Sequence, residues 1–148
     1  MVAKASRLGI ECFAFSAKEY SSKEEYEQKI VELLDSKGVE LVCLAGYMRI
    51  VGSVPLGAYG GRIINIHPAL LPLYGGKGMY GMNVHQAVID NKELESGITI
   101  HFVDEKYDEG TTIFQAKCNI TPDDTAETLA QKIHLLEYEH FPVIIEQV

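Results

Sequence analysis

The chain has 148 residues, of which 47% are hydrophobic and 23% charged, which is ordinary for one globular domain and unlike a disordered protein. Its 13 basic and 21 acidic residues give a net charge of −8, which argues against binding to nucleic-acid backbones or anionic membranes. There is neither an apolar run approaching ~18 residues nor a cleavable signal, so the sequence supports neither membrane spanning nor secretion.

The first half of the chain alternates between predicted helices and strands. Residues 1–7 look like the last turn of a helix, and residues 10–15 are predicted to form a strand. Ser22-x-x-Glu25 is a capping box that opens the next helix. Residues 41–45 form a continuous apolar run, typical of a parallel strand buried on both faces. This order predicts an α/β fold with a mostly parallel sheet flanked by helices.

A glycine-rich loop precedes the last group of elements. Residues 73–82 contain four glycines and few core residues, which predicts a mobile loop leading into a helix at 83–91. Alternation at 98–102 and the run at 112–120 predict two antiparallel strands. The final helix is predicted to start at Asp124-x-x-Glu127, and Pro142 is expected to kink or interrupt it. We expect a single domain over residues 1–148.

The strand at 63–67 carries the strongest chemical signal. Because side chains alternate along a strand, Asn65 and His67 lie on one face, and Pro68 ends the run. Asn can donate a hydrogen bond to a developing oxyanion, and His can exchange a proton near neutral pH. The pair therefore indicates acyl transfer, although an isolated Asn-x-His more often just closes a strand before a turn.

Three blocks of sequence strengthen this interpretation. Residues 44–50 read LAGYMRI, residues 65–72 read NIHPALLP, and residues 97–103 read GITIHFV, followed by YDEG at 107–110. In order and spacing they closely resemble the folate-dependent phosphoribosylglycinamide formyltransferase family. The resemblance implies a Rossmann-like formyltransferase fold and transfer of a formyl group from 10-formyltetrahydrofolate to the amine of glycinamide ribonucleotide in purine synthesis.

The resemblance also implies a catalytic set of Asn65, His67 and Asp108. A carboxylate near His67 would offset the desolvation that lowers the pKa of a buried imidazole, which gives Asp108 a physical role. Taken alone, Asp108 in Asp-Glu-Gly would be an ordinary turn residue.

Binding residues follow from the same resemblance. The segment after the buried strand and the loop before Asp108 correspond to folate-binding regions, and two residues of the last helix correspond to contacts with glycinamide ribonucleotide. His134 departs from the commoner Gln, and Lys23 is equally well explained as a solvated helix start. The folate set is Lys23, Met48, Arg49, Ile50, Val51, Asn65, Asp104, Glu105, Lys106, Tyr107 and Asp108, and the glycinamide ribonucleotide set is His134 and Glu137.

The sequence departs from the family at its start. Family members begin with a strand, a phosphate-binding turn and a second strand, and this chain starts after all three, so we expect an N-terminally incomplete domain. The uncovered sheet edge would favour a homodimer. Alternatives that remain open are a formyl-folate hydrolase, another N-formyltransferase, or a non-catalytic folate-binding fragment.

Other residues carry weaker signals. His101 could support the site or simply be a core histidine, and His85 and His140 are expected on helix surfaces. The histidines lack metal-ligand spacing, so no metal is expected. Residues 75–78 are interpreted as a lid over the folate or an inert loop, not as a phosphate-binding P-loop. The three cysteines are expected to be buried, reduced thiols of a cytoplasmic protein that acts on small molecules.

Overall fold

The computed structural model of the protein describes residues 2–148 and contains a four-stranded sheet in the order β1-β2-β3-β4. The strands are β1 (Val42–Ala45), β2 (Ile63–His67), β3 (Glu95–Phe102) and β4 (Thr112–Asn119). β1 and β2 are parallel, whereas β3 runs antiparallel to both of its neighbours. The β2–β3 register places Asn65 opposite His101 and His67 opposite Thr99, which sets the position of the site.

Five α-helices accompany the sheet among the described residues. They are α1 (Val2–Arg7), α2 (Lys23–Ser36), α3 (Ser53–Tyr59), α4 (Met82–Asp90) and α5 (Ala126–Ile145), with a short 3₁₀ helix at Ala17–Glu19. Ser22 caps α2 by accepting a hydrogen bond from the backbone N–H of Glu25 at 3.1 Å. Thr125 and Thr128 form a reciprocal capping box that fixes the start of α5. None of the helices in residues 2–148 is both long and apolar enough to cross a membrane.

Two apolar clusters hold these elements together. The larger contains Ile98 and Ile100 of β3 and Leu129 and Ile133 of α5, all fully buried, so α5 packs directly on the sheet. The smaller joins Val31 of α2 to α3 and β2. Full burial of a side chain of this size contributes about 1.5–3 kcal/mol, which makes the α5 contact a main support of the sheet.

The α/β class and the formyltransferase fold are confirmed, but the described sheet is mixed, not mostly parallel. The reason is that β3 opposes both neighbours, so only the β1–β2 pair is parallel. Residues 10–15 form no strand, and Ile10 and Phe13 are 59% and 46% exposed. Alternating apolar residues do not reveal whether a neighbouring strand is available to complete a ladder.

Three smaller expectations also need correction. Helix α5 begins after Thr125, because Asp124 instead accepts a hydrogen bond from the backbone N–H of Thr121 at 2.7 Å. The helix continues through Pro142 to Ile145. The cysteines were expected to be buried, but Cys12 and Cys43 are exposed and Cys118 is only partly buried.

Candidate active site

The carboxyl end of β2 brings polar side chains together in a buried environment. His67 is 3% exposed and His101, from the adjacent β3, is 2% exposed. The Asn65 Nδ2 lies 3.2 Å from the His101 Nε2, as expected for residues opposite one another in the β2–β3 ladder. The Nδ1 of His101 lies 2.8 Å from the Phe102 carbonyl oxygen, which can only accept, so His101 carries a proton on Nδ1.

Backbone contacts also fix the orientation of His67. Its Nε2 donates a hydrogen bond to the Tyr74 carbonyl oxygen at 2.8 Å, because a carbonyl has no proton to give. The other ring nitrogen, Nδ1, lies 3.6 Å from the Asp108 Oδ1. In the neutral ring Nδ1 therefore has a free lone pair that faces a carboxylate, and this nitrogen is the one that can take up a proton.

Asp108 is placed by an unusual backbone conformation in the loop between β3 and β4. Its φ is +55°, in the left-handed region that Asp tolerates better than most residues. One carboxylate oxygen accepts a hydrogen bond from the Gly76 N–H at 2.9 Å, and the other lies 3.6 Å from both His67 and His101. Burial raises the pKa of Asp108, but the contacts with His101, Gly76 and His67 outweigh it and hold the pKa below its ordinary value.

For His67, the effect of burial on the pKa outweighs that of the favourable contacts. Burial lowers its pKa, and the Asp108 charge and the hydrogen bond to Tyr74 offset this only in part, while His101 lowers it further. The lowered pKa favours the neutral imidazole, which can accept a proton. The strong burial of His67 thus favours an uncharged imidazole beside the Asp108 carboxylate.

A buried hydroxyl fixes the chain just after His67. Thr99, opposite His67 on β3, donates to the Ala69 carbonyl oxygen at 2.7 Å and accepts from the Leu71 N–H at 2.9 Å. The Gln115 Nε2 donates to the same hydroxyl at 2.8 Å. These bonds tie the proline-flanked segment after β2 to the sheet, and thereby limit movement of His67.

Asn65, His67 and Asp108 line a cavity of about 720 Å³. Its walls come from the ends of β1 and β2, the loop at 76–81, Tyr107 and Asp108, and the inner face of α5. A cavity of this size matches the usual range for small-molecule sites. Of the residues predicted from sequence, the cavity brings together Met48, Asn65, His67, Tyr107, Asp108, His134 and Glu137.

Helix α5 contributes His134 and Glu137, which lie one helical turn apart and both line the cavity. Burial raises the pKa of Glu137, and the nearby His134 opposes that rise. An imidazole and a carboxylate on the wall opposite the strand ends can contact a polar substrate.

The remaining predicted folate residues do not line this cavity: Lys23, Arg49, Ile50, Val51, Asp104, Glu105 and Lys106. Lys23 forms an ion pair with Glu27 at 3.2 Å on α2. Lys106 pairs with Glu109 at 2.9 Å, and its N–H donates to the Asp104 side chain. Val51 packs against the smaller apolar cluster. Their role in folate binding stays a prediction.

Sequence reasoning misjudged two histidines. His85 is 4% exposed on α4 and lines the cavity, although it was expected on the surface. Its spacing carried the signal, because His85 lies three residues before the buried Val88 and shares its helix face. His140 is partly buried, with its ring 5.0 Å from that of Phe114. No sequence pattern indicated the hydrogen bond from His67 to the Tyr74 carbonyl oxygen, because that oxygen belongs to the backbone.

No group of three or more His, Cys, Asp or Glu residues within 2–148 is arranged to hold a metal ion. The side chains described above place an amide donor, an imidazole and a carboxylate at one end of the cavity. This set is suited to general acid–base catalysis at a carbonyl carbon.

Comparisons with known proteins agree with this geometry. The family model described as formyl transferase matches residues 2–145. The chain is 43% identical over its full length to the phosphoribosylglycinamide formyltransferase of Bacillus subtilis and spans 73% of that protein. It is also 40% identical, over 94% of its length, to the trifunctional purine biosynthetic protein adenosine-3 of Drosophila melanogaster, of which it spans only 10%.

Solved structures show the same likeness. The phosphoribosylglycinamide formyltransferase of Streptococcus pneumoniae superposes with a TM-score of 0.91 at 40% identity, covering 99% of this chain and 78% of the other. The enzyme from Bacillus halodurans gives a TM-score of 0.87 at 42% identity, covering 95% and 70%. The fold and the site thus define a formyl-transferring class of enzyme. The chain belongs to the formyl transferase family, and its relatives from Bacillus subtilis, Streptococcus pneumoniae and Bacillus halodurans are phosphoribosylglycinamide formyltransferases.

Proposed function

We propose that this chain transfers the formyl group of 10-formyltetrahydrofolate to the amine of glycinamide ribonucleotide, a step of de novo purine synthesis. The observation that carries the proposal is the meeting of Asn65, His67 and Asp108 at one end of the cavity. The names of its relatives in the formyl transferase family support the choice of substrate.

The chemistry follows from the positions of the three side chains. The substrate amine attacks the formyl carbon, a new C–N bond forms, and the carbonyl oxygen becomes an oxyanion that the Asn65 amide can stabilise. Neutral His67 accepts the proton lost by the amine, and the resulting imidazolium is stabilised by Asp108 at 3.6 Å. His67 then returns the proton to the folate nitrogen as its bond to the formyl carbon breaks.

Binding residues are part of the same proposal. Met48, Tyr107 and Asp108 on the cavity wall, with the neighbouring segments 49–51 and 104–106, would hold the folate. His134 and Glu137 would contact glycinamide ribonucleotide from α5. The side chains at 104–106 are exposed, so folate recognition there would depend chiefly on backbone groups.

Assembly and location are further parts of the proposal. β1 is hydrogen-bonded to one neighbour, β2, in the sheet formed by residues 42–119, and the other side of β1 could pair with a second copy. Light scattering would give twice the chain mass for the proposed homodimer and the chain mass for a monomer. A cytoplasmic location, expected from the thiols, stays a prediction.

The activity is tested by following loss of the folate formyl group with and without glycinamide ribonucleotide, using the unmodified chain and His67→Asn. Acceptor-dependent transfer that the substitution abolishes would support the proposal. Loss of the formyl group without acceptor would indicate a hydrolase. Folate binding measured by calorimetry, without turnover, would indicate a non-catalytic binding fragment.

A further inference from the structure

His85 is a buried histidine that the proposed mechanism does not use. It lies on α4 next to the buried Val84, shares a helix face with the buried Val88 and is itself 4% exposed. Its Nδ1 is closed to solvent and has no hydrogen-bond partner among residues 2–148. A buried polar atom left unpaired costs free energy, so its retention beside a cavity requires an explanation.

The unpaired nitrogen determines which tautomer His85 adopts. A neutral imidazole has one N–H and one bare nitrogen. We place the bare nitrogen at the closed-off Nδ1, because the proton can then lie on Nε2, which is not among the buried unpaired atoms. Burial also lowers the pKa of His85, and His134 and His67 lower it further, which favours the neutral ring. The single ring proton then lies on Nε2.

The location of the ring indicates its ligand. His85 lines the same cavity as His67 and His134. It therefore shares this space with the proton-accepting His67 and with the α5 residues that contact the acceptor under the proposed function. Under the proposed function the acceptor amine approaches His67, so the part of the acceptor nearest His85 would be its amino-amide end, which carries a carbonyl oxygen next to the reacting amine.

We propose that His85 is a substrate-positioning residue whose Nε2–H donates a hydrogen bond to the amide carbonyl oxygen of the acceptor. The bond would hold the acceptor amine toward His67 and would select amines with an adjacent carbonyl. This inference rests on the proposed function, because that function supplies the acceptor. It needs no ionised form of His85, so the donor is present throughout the neutral pH range.

Two substitutions separate the hydrogen bond from simple packing. His85→Gln keeps an N–H close to the position of Nε2, whereas His85→Asn places its amide near the position of Nδ1 and leaves the cavity side without a donor. We expect His85→Asn to raise the KM for glycinamide ribonucleotide roughly 5- to 10-fold, with the folate KM unchanged. His85→Gln should leave the KM for glycinamide ribonucleotide close to that of the unmodified chain. Gln86→Asn, on the exposed side of α4, is the matched control.

The results can contradict the inference while the proposed function stands. The inference is wrong if the unmodified chain transfers the formyl group and both variants have its KM for glycinamide ribonucleotide. It is also wrong if both variants raise that KM equally, because His85 would then have no donor role. NMR of the imidazole nitrogens in the unmodified chain gives a second readout. The inference requires a protonated Nε2 whose signal shifts on addition of glycinamide ribonucleotide, and a protonated Nδ1 or an unshifted signal would overturn it even if no turnover occurs.

Discussion

The two sides of the cavity are built differently. The strand wall consists of Asn65 and His67, which line the cavity, and of Thr99 and His101, which are paired opposite them on β3. His67, Thr99 and His101 are 0–3% exposed, and all four side chains make hydrogen bonds. The loop rim, formed by residues 46–51 and 104–107, borders the cavity through residues 46–48 and Tyr107. It is mostly exposed, with Met48 at 64% and Tyr107 at 38%. We infer that the strand wall fixes the reacting groups in place, whereas the loop rim presents backbone hydrogen-bonding groups to a bound heterocycle. Substitutions in the wall should therefore cost far more than those in the rim.

The largest effect is expected from His67→Asn, which removes the proton acceptor while keeping a polar side chain of similar shape. We expect kcat/KM for formyl transfer to fall roughly 10³-fold, within the usual range for loss of a general base. Steady-state assays measure the loss, and an unchanged circular dichroism spectrum shows that the fold is retained. Activity within tenfold of the unmodified chain would remove His67 from the mechanism.

Asp108→Asn tests the link between the wall and the loop that carries Asp108. Removing the carboxylate should lower the His67 pKa further, since the Asp108 charge favours the imidazolium, and should reduce kcat/KM roughly 10²-fold. An NMR titration of the His67 ring measures the pKa directly. A His67 pKa that does not move in this variant would contradict the proposed pairing.

Thr99→Val tests the rigidity of the strand wall. The substitution leaves the Ala69 carbonyl, the Leu71 N–H and the Gln115 amide without their shared partner, so the free energy of unfolding should fall by about 1–3 kcal/mol. Urea unfolding measures this change. Thr112→Val, at an exposed position on β4, is the control and should lie within about 0.5 kcal/mol of the unmodified chain. If both variants lost the same free energy of unfolding, the hydrogen bonds of Thr99 would not be needed for stability.

The smallest effect is expected in the loop rim. Lys106→Ala removes an exposed ion pair with Glu109 and leaves the backbone of the loop unchanged. The folate KM should change by less than about threefold. A change above tenfold would mean that the Lys106 side chain itself binds folate, and the contrast between wall and rim would then fail.

The sequence predicted the strand wall better than the rest of the molecule. Strand alternation placed Asn65 and His67 on one face without any structure, and family resemblance supplied Asp108, whose contact with His67 depends on a left-handed backbone that no local pattern encodes. The helix face of His85 was readable from its spacing to Val88 but was overlooked.

Some features could not be predicted from local pattern at all. Residues 10–15 have the composition of a strand, yet a strand needs a neighbour, and pairing is a property of the whole fold. Likewise, β3 runs antiparallel to β2 because of the path that the chain takes after α4. Amino-acid composition does not determine that path.

The most direct test of the account is a double-mutant cycle in kcat/KM for His67→Asn and Asp108→Asn. If the two residues act as one unit, the double variant should lose about as much activity as His67→Asn alone, because Asp108 acts through the imidazole. If the two losses instead multiply, Asp108 contributes independently of His67, and the proton-transfer pairing proposed for this site would be wrong.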